Sequence, residues 1–171
     1  MISNTMVSIF VCVLIVLAFF TYWILRYNRI LLLHKLYLDI ALCFTVWSVP
    51  LICMRFTPLE NTSLLFVLDA ITNLGCAFLP PLALLLALAF TKGWETLPHK
   101  YLLLFIVPCI TTVVVWTNPL HGLQYQQFSI FRDQIVFGPY IFFSGAYSYL
   151  CMVLGILVAI RFIAHSSGRI Y

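Results

Sequence analysis

The chain has 171 residues, of which 64% are hydrophobic and only 8% are charged, and its formal net charge is +4. Soluble domains average about 45–50% apolar and about 25% charged residues, and a fold of this size could not hide so much apolar surface from water. The composition therefore excludes a soluble domain and predicts a protein whose first partner is the lipid bilayer. In a membrane protein, excess positive charge is typical of residues that face the cytoplasmic leaflet, so no nucleic-acid partner is expected.

Five apolar segments are long enough to cross a bilayer, which takes roughly 20 residues. Backbone polar groups must bond to one another in lipid, so these segments are predicted to be helices rather than strands. Helices are expected at about residues 7–25, 36–54, 63–90, 101–117 and 139–160, with an extracytoplasmic loop over 118–138. The sequence thus predicts an all-α, polytopic membrane helix bundle that forms a single transmembrane domain over residues 1–171.

The lysines and arginines indicate the orientation of the bundle. Seven of them follow helices one, three and five, and two, Arg55 and Arg132, fall on the opposite side. The seven are Arg26, Arg29, Lys35, Lys92, Lys100, Arg161 and Arg169. Because positive charge collects in the cytoplasm, the N-terminus is predicted outside and the C-terminus inside. The first segment lacks a basic region and a small-residue cleavage site before its charges, so it is expected to be a retained helix.

Prolines are predicted to bend two of the helices. Pro80 and Pro81 fall in the middle of the long third segment, and Pro108 falls inside the fourth. Each proline removes a backbone donor from a helix, so kinks are expected at both places.

A polar stripe runs along the third predicted helix. Asp69, Thr72, Asn73 and Cys76 are spaced i, i+3, i+4 and i+7, which places them on one helical face. A charged group in a membrane span is costly, so it is expected to face the bundle interior or a wet cavity. Three interpretations stay open: a hydrogen-bond network that only stabilises packing, the wall of an outward-facing ligand cavity, and an ion or proton pathway.

The segment WTNPLHGLQY, residues 116–125, is predicted to leave the fourth helix and turn at Asn118–Pro119 and Gly122. The alternation of apolar and polar residues after it favours a short hairpin or an interfacial flap, with Arg132–Asp133 near its middle. One interpretation is a cap that closes the bundle. The other is an aromatic vestibule above the stripe, as small-ligand pockets often have aromatic walls. Its candidate ligand-binding residues, with the stripe, are Asp69, Asn73, Trp116, Asn118, His121, Tyr125, Tyr140 and Tyr147.

Sequence motifs of common enzymes are absent from the chain. There is no H-E-x-x-H, no G-x-S-x-G, no glycine-rich phosphate loop and no carboxylate pair. The six cysteines are scattered singly, as buried apolar packing residues are, and the four histidines fall near predicted helix ends, where no two could hold a haem. The sequence therefore predicts no catalytic residue, no metal site, no cofactor and no enzymatic activity.

Three segments together resemble the N-terminal seven-transmembrane sensor region of bacterial membrane histidine kinases. They are LALLLALAFTKGW, LLLFIVPCITTVVVWTNPLHGL and FGPYIFFSGAYSYLCMVLGILVAIRFI, and the resemblance spans roughly Phe44 to Phe162. In that family a helix ends at an inner T-G-like turn, the next helix carries a proline and exits as T-N-x-x-H, and the following one starts G-P and ends near an arginine. The matching positions here are Thr91–Lys92–Gly93, Pro108, Thr117–Asn118–Pro119–Leu120–His121, Gly138–Pro139, Tyr147 and Arg161.

The resemblance implies an input module of a signal-transduction receptor of the two-component type, placed in the bacterial inner or plasma membrane. It also implies a small-molecule ligand or a membrane-state signal, a cytoplasmic kinase or cyclase output, and a homodimer as partners. The family has seven helices followed by an effector, whereas this sequence offers five helices and no kinase domain. The chain is therefore expected to be a fragment, a truncated gene product or a small protein that has kept the input part.

Two other functions are compatible with the sequence. A small transport or channel subunit would use the Asp69 stripe as a substrate path, and loss of uptake in Asp69→Asn would reveal it. A structural membrane partner would tolerate changes at Asp69, His121 and Tyr147 alike. A sensor would show no flux and would lose signal in His121→Ala or Tyr147→Ala when an effector follows Arg161.

Overall fold

The computed structural model describes residues 4–26, 31–129 and 134–167 of the chain. Arg29, Arg132, Asp133 and Arg169, which entered the sequence arguments on charge and on the loop, lie outside these ranges. The elements in chain order are α1 (Asn4–Leu25), α2 (Leu32–Phe56), α3 (Thr62–Lys92), a 3₁₀ helix (His99–Phe105) that continues into α4 (Ile106–Trp116), α5 (Asn118–His121), β1 (Tyr125–Gln127), β2 (Val136–Phe137) and α6 (Tyr140–Ser167).

Five helical segments within the described ranges are long and apolar enough to cross a membrane: α1, α2, α3, the 3₁₀ helix with α4, and α6. The prediction of an all-α membrane bundle with five spanning helices is therefore confirmed. The orientation of the termini stays a prediction.

Helix α3 begins and ends at recognisable caps. The Asn61 side chain accepts the Leu64 N–H at 3.2 Å, and at the other end Gly93, with φ 63°, donates its N–H to the Ala89 carbonyl. This is the left-handed glycine termination that helices commonly use. Between these caps α3 has 31 residues, about 46 Å at 1.5 Å per residue, which exceeds the roughly 30 Å thickness of a bilayer core.

The prolines act differently in α3 and α4. Pro80 and Pro81 are buried inside one continuous helix. Pro108 lies in the first turn of α4, three residues after the 3₁₀ helix ends at Phe105. A proline is well tolerated in a first helical turn, where its missing N–H would have little to bond. The backbone change expected near Pro108 thus takes the form of a switch from 3₁₀ to α-helix.

Helix α3 is the centre of the bundle and packs against α2, α4 and α6, while α1 packs against α2. The α2–α3 contact is made backbone to backbone, since a Cβ on Gly75 would lie 2.5 Å from the Cys43 carbonyl oxygen. The buried core cluster lies toward the Gly93 end of α3 and consists of Leu36, Leu82, Leu85 and Ala89. Helices α1 and α6 leave large apolar side chains exposed along their lengths, as helices facing lipid do.

Candidate functional site

The segment after α4 forms a compact hairpin. Helix α5 ends at Gly122, which has φ 63° and donates its N–H to the Asn118 carbonyl. Strands β1 and β2 then pair antiparallel, with Tyr125 opposite Phe137 and Gln127 opposite Val136. The sequence expectation of a short hairpin is thus confirmed, and hereafter "the hairpin" means Asn118 to Phe137 as far as it is described.

Asn118 holds the hairpin together with both ends of its side-chain amide. Its Oδ1 accepts the backbone N–H of Gln124 at 2.8 Å and of Tyr125 at 3.0 Å, while its Nδ2 donates to the Tyr125 carbonyl at 3.0 Å. The side chain is buried, with 5% of its surface exposed. Because one amide satisfies two donors and one acceptor of the backbone, its role here is to build the hairpin.

The hairpin leads directly into α6. The Gly138 N–H donates to the Gln124 carbonyl at 2.8 Å, and the Tyr140 N–H donates to the Leu123 carbonyl at 3.0 Å. A Cβ at Gly138 would lie 2.1 Å from the Leu123 carbonyl oxygen, so only glycine fits there without a shift of the backbone. The first turn of α6 is therefore fixed to the hairpin by backbone contacts.

A polar cluster of Asp69, Asn73 and Tyr125 joins the hairpin to α3. The Asn73 Nδ2 donates to the Asp69 Oδ2 at 3.0 Å, to the Asp69 carbonyl at 2.9 Å and to the Tyr125 hydroxyl at 3.2 Å. The Tyr125 hydroxyl and the Asp69 carboxyl group thus share Asn73 Nδ2 as a hydrogen-bond donor. The structure thus brings together three predicted site residues, two of which are 52 positions apart in the chain.

Tyr125 is buried at the top of this cluster, with 6% of its surface exposed and its ring packed near Phe128 and Phe137. Burial raises the pKa of the Tyr125 hydroxyl far above its ordinary value, and the nearby Asp69 raises it further. The hydroxyl therefore keeps its proton throughout the physiological pH range. It remains a neutral hydroxyl that accepts the hydrogen bond from Asn73.

Two tyrosines of α6 contact α4 and the 3₁₀ helix before it. The hydroxyls of Tyr140 and Thr111 lie 2.9 Å apart, and the Tyr147 hydroxyl donates to the Leu104 carbonyl at 2.5 Å. In an α-helix the Leu104 carbonyl would accept from residue 108, but Pro108 has no N–H. The Tyr147 hydroxyl supplies a donor to that carbonyl, so α6 is tied to the place where the backbone changes helix type.

Between α3, α4, α6 and the hairpin lies a cavity of about 350 Å³. Its lining includes Asn73 and Tyr147 of the predicted site residues. The polar groups that the sequence argument missed are Thr111, Gln124, Ser144 and Ser148. Gln124 is adjacent to the predicted Tyr125, but nothing in the sequence distinguishes it from Gln126 and Gln127, which are exposed. Only the pairing of the hairpin shows which of the three points inward.

Trp116 and His121 lie outside the polar cluster. Trp116 exposes 46% of its surface. The exposed His121 ring makes local contacts, with its Nε2 3.0 Å from the Thr117 hydroxyl and its Nδ1 accepting the Leu123 N–H at 3.0 Å. Those contacts order the turn at the start of the hairpin. Seven of the eight candidate residues thus divide into the polar cluster, the hairpin contacts and the α6 tyrosines, and Trp116 stands apart from them. A ligand-binding role for all eight stays a prediction.

Within residues 4–26, 31–129 and 134–167, no group of three or more histidine, cysteine, aspartate or glutamate side chains is placed to hold a metal ion. The polar cluster contains one carboxylate, one amide and one phenol. Its chemistry is that of hydrogen bonding among a carboxyl group, an amide and a hydroxyl.

Comparison with known families identifies the chain. A family model described as the N-terminal 7TM region of histidine kinase matches residues 6–171, a wider range than the resemblance in the sequence suggested. The family model covers the sensor region and not a kinase domain. No curated protein and no solved structure matches the chain. A match over nearly the whole length, together with five apolar spanning helices, shows that the chain belongs to the N-terminal seven-transmembrane family of histidine kinases, the membrane sensor module of these proteins.

Proposed function

We propose that this chain receives a ligand or membrane-state signal at its hairpin and passes it through α3, α4 and α6 to a cytoplasmic kinase or cyclase output. In this proposal the chain is a multi-pass protein of the bacterial inner or plasma membrane. The hairpin lies outside, the end of α6 lies inside, and two copies form a dimer.

The observation that supports this function best is the double attachment of the hairpin. Through Tyr125 it is bonded to Asn73 of α3, and through the carbonyls of Leu123 and Gln124 it is bonded to the start of α6. A shift of the hairpin therefore acts on both helices at once. Helix α6 has 28 residues, about 42 Å, so a movement at its first turn reaches the far side of the bilayer.

A sensor needs an element with two arrangements that a signal can bias. The Tyr147–Leu104 hydrogen bond is suited to that role because it joins two helices through one rotatable side chain. Breaking it frees the Leu104 carbonyl next to Pro108 and releases α6 from the 3₁₀ helix. The bonded and released forms would correspond to two output states.

Tyr147→Phe in a chimera with a histidine-kinase core fused after Ser167 is expected to change basal autophosphorylation by roughly threefold to tenfold without any stimulus. The expectation follows from the loss of one net hydrogen bond, typically about 0.5–1.5 kcal/mol, from one of two states. The measurement is phosphate incorporation in membrane vesicles, normalised to the amount of chimera present.

Met152→Leu is the matched control, since Met152 lies five residues further along α6, exposes 47% of its surface and does not line the cavity. It is expected to leave basal output unchanged. Equal output from wild type and Tyr147→Phe would contradict the proposal, because α6 would then carry no state to its end.

The alternative of a small transport or channel subunit rests on the carboxylate of Asp69 within a spanning helix. The Asp69 carboxyl group already accepts a hydrogen bond from Asn73, and the buried Tyr125 of the hairpin lies over the same polar stripe. Asp69→Asn keeps an oxygen acceptor for Asn73, so we expect unchanged expression and no change in the uptake of cations or small solutes by reconstituted vesicles. Uptake above protein-free vesicles that disappears in Asp69→Asn would favour transport instead.

A further inference from the structure

The cavity between α3, α4, α6 and the hairpin contains a hydrogen-bonding group without a partner. Gln124 lines the cavity and exposes 3% of its surface. Its Oε1 has no hydrogen-bond partner among the described residues. A buried acceptor left unpaired destabilises the structure, so a ligand that donates a hydrogen bond to it binds more tightly than one that cannot.

The rest of the lining defines the polarity of the ligand. Every polar side chain that lines the cavity is uncharged: asparagine, glutamine, cysteine, threonine, serine and tyrosine. The remaining walls are formed by Ala77, Pro108, Ile141 and Gly145. The nearby carboxyl group of Asp69 is occupied by Asn73. An ion would find no counter-charge in this lining, so a neutral molecule with a largely apolar body fits best.

The position of the cavity indicates the route of entry. Tyr149 lines the cavity and is also largely exposed, so the cavity reaches the surface of α6 at that point. Residue 149 is nine positions after the first residue of α6, about 14 Å along the helix axis. That depth lies within the apolar part of a span, where a ligand arrives from the lipid. At about 350 Å³, the cavity is at the small end of the roughly 300–1,000 Å³ range of ligand sites.

We infer that this cavity binds a small, uncharged, bilayer-soluble amphiphile that donates a hydroxyl or amide hydrogen bond to Gln124 Oε1, once a rotation of the Gln124 side chain turns this fully buried oxygen toward the cavity. Only the signalling role of this ligand rests on the proposed sensor function, because its binding can be measured without any output domain. A ligand there would touch α3, α4, α6 and the hairpin together. Through Gln124 it would act on the same hairpin that is bonded to Asn73 and to the start of α6.

The test uses the full chain in liposomes, a diazirine derivative of 1-octanol as photolabel, and two competitors. 1-Octanol donates a hydrogen bond, and octyl methyl ether of similar shape does not. We expect labelling on cavity-lining residues, mapped by mass spectrometry of peptides. We also expect 1-octanol to compete at roughly threefold to tenfold lower membrane concentration than the ether, the value of one hydrogen bond.

Two variants with a matched control make the test specific. Gln124→Leu removes the acceptor and is expected to make the two competitors equal, whereas Gln126→Leu, an identical change at an exposed position of the hairpin, is expected to keep the difference. Gly145→Leu fills the cavity from α6, where an added Cβ meets nothing within 4 Å. It is expected to abolish cavity labelling, and it covers the case in which Gln124→Leu does not fold.

Labelling spread along the lipid-facing helices and unchanged in Gly145→Leu would overturn the inference, as would equal competition by alcohol and ether in the wild-type chain. The output chimera separates this result from the sensor proposal. If the cavity binds the label but Tyr147→Phe does not change output, the binding site is supported and the sensor mechanism is wrong. If Tyr147→Phe changes output but the cavity does not bind the label, the sensor mechanism is supported and the binding site is wrong.

Discussion

Replacing Asn118 with alanine is expected to detach the hairpin from the bundle and to lower the free energy of unfolding by about 3 kcal/mol or more. The truncation leaves the N–H groups of Gln124 and Tyr125 and the Tyr125 carbonyl without their side-chain partner, and each buried group left unpaired costs about 1–3 kcal/mol. Because Tyr125 bonds to Asn73 from the same strand, the attachment to α3 is expected to loosen as well.

Hydrogen exchange of the Gln124 and Tyr125 amides in nanodiscs, together with the thermal midpoint, measures this effect. Asn118→Asp tests the geometry further, because it keeps the acceptor for two amides but directs a second oxygen at the Tyr125 carbonyl. It is expected to fall between wild type and Asn118→Ala. Gln126→Ala, at an exposed position in the same hairpin, is the control. Unchanged amide protection in Asn118→Ala would show that the backbone alone holds the hairpin.

The spanning helices could be predicted because their signal is local. Length and apolar content suffice to identify a helix in lipid. The i, i+4 spacing of Asp69 and Asn73 likewise predicted a shared face, and their side chains do bond to each other. Helix α6 continues to Ser167, beyond the predicted end at residue 160, because a helix need not end where its apolar residues end.

The tertiary contacts of the site could not be predicted, because they depend on elements distant in the chain. The contact of Tyr125 with Asn73 depends on how the hairpin folds over α3, and the bond from Tyr147 to the Leu104 carbonyl depends on the packing of α6 beside Pro108. Asn118 was selected as a ligand-binding candidate, but both ends of its amide bond to the backbone. A polar residue beside a turn looks the same in the sequence whether its side chain binds a ligand or bonds to the backbone of the turn.

The sensor proposal requires a fixed part of the bundle against which α6 can move, and the α2–α3 contact is suited to be that part. A Cβ on Gly75 would lie 2.5 Å from both the Cys43 carbonyl oxygen and the Trp47 backbone nitrogen. Contacts of this kind between small residues let helix backbones approach closely in membranes. On the other side of α3, a Cβ on Gly155 of α6 would meet the Leu84 backbone at 3.5 Å, an ordinary van der Waals distance.

Alanine substitutions at Gly75, Gly145 and Gly155 are expected to change the stability of the bundle to different extents. Gly75→Ala should force α2 and α3 apart and destabilise the bundle by about 1–3 kcal/mol or more, as overpacking does. Gly145→Ala, where nothing lies within 4 Å of the new Cβ, should leave stability unchanged or raise it by up to about 1 kcal/mol through helix propensity. Gly155→Ala should lie between them.

Thermal unfolding of the three variants in one detergent gives the order directly, and basal output of the kinase chimera adds a functional measure. If α2 and α3 form the fixed part, the folded fraction of Gly75→Ala should show altered output even though Gly75 lies far from the end of α6. Gly155→Ala, at the α3–α6 contact, should change output with little change in stability. Equal stability of Gly75→Ala and Gly145→Ala would mean that α2 and α3 can separate freely, and the fixed part would then have to lie elsewhere in the bundle.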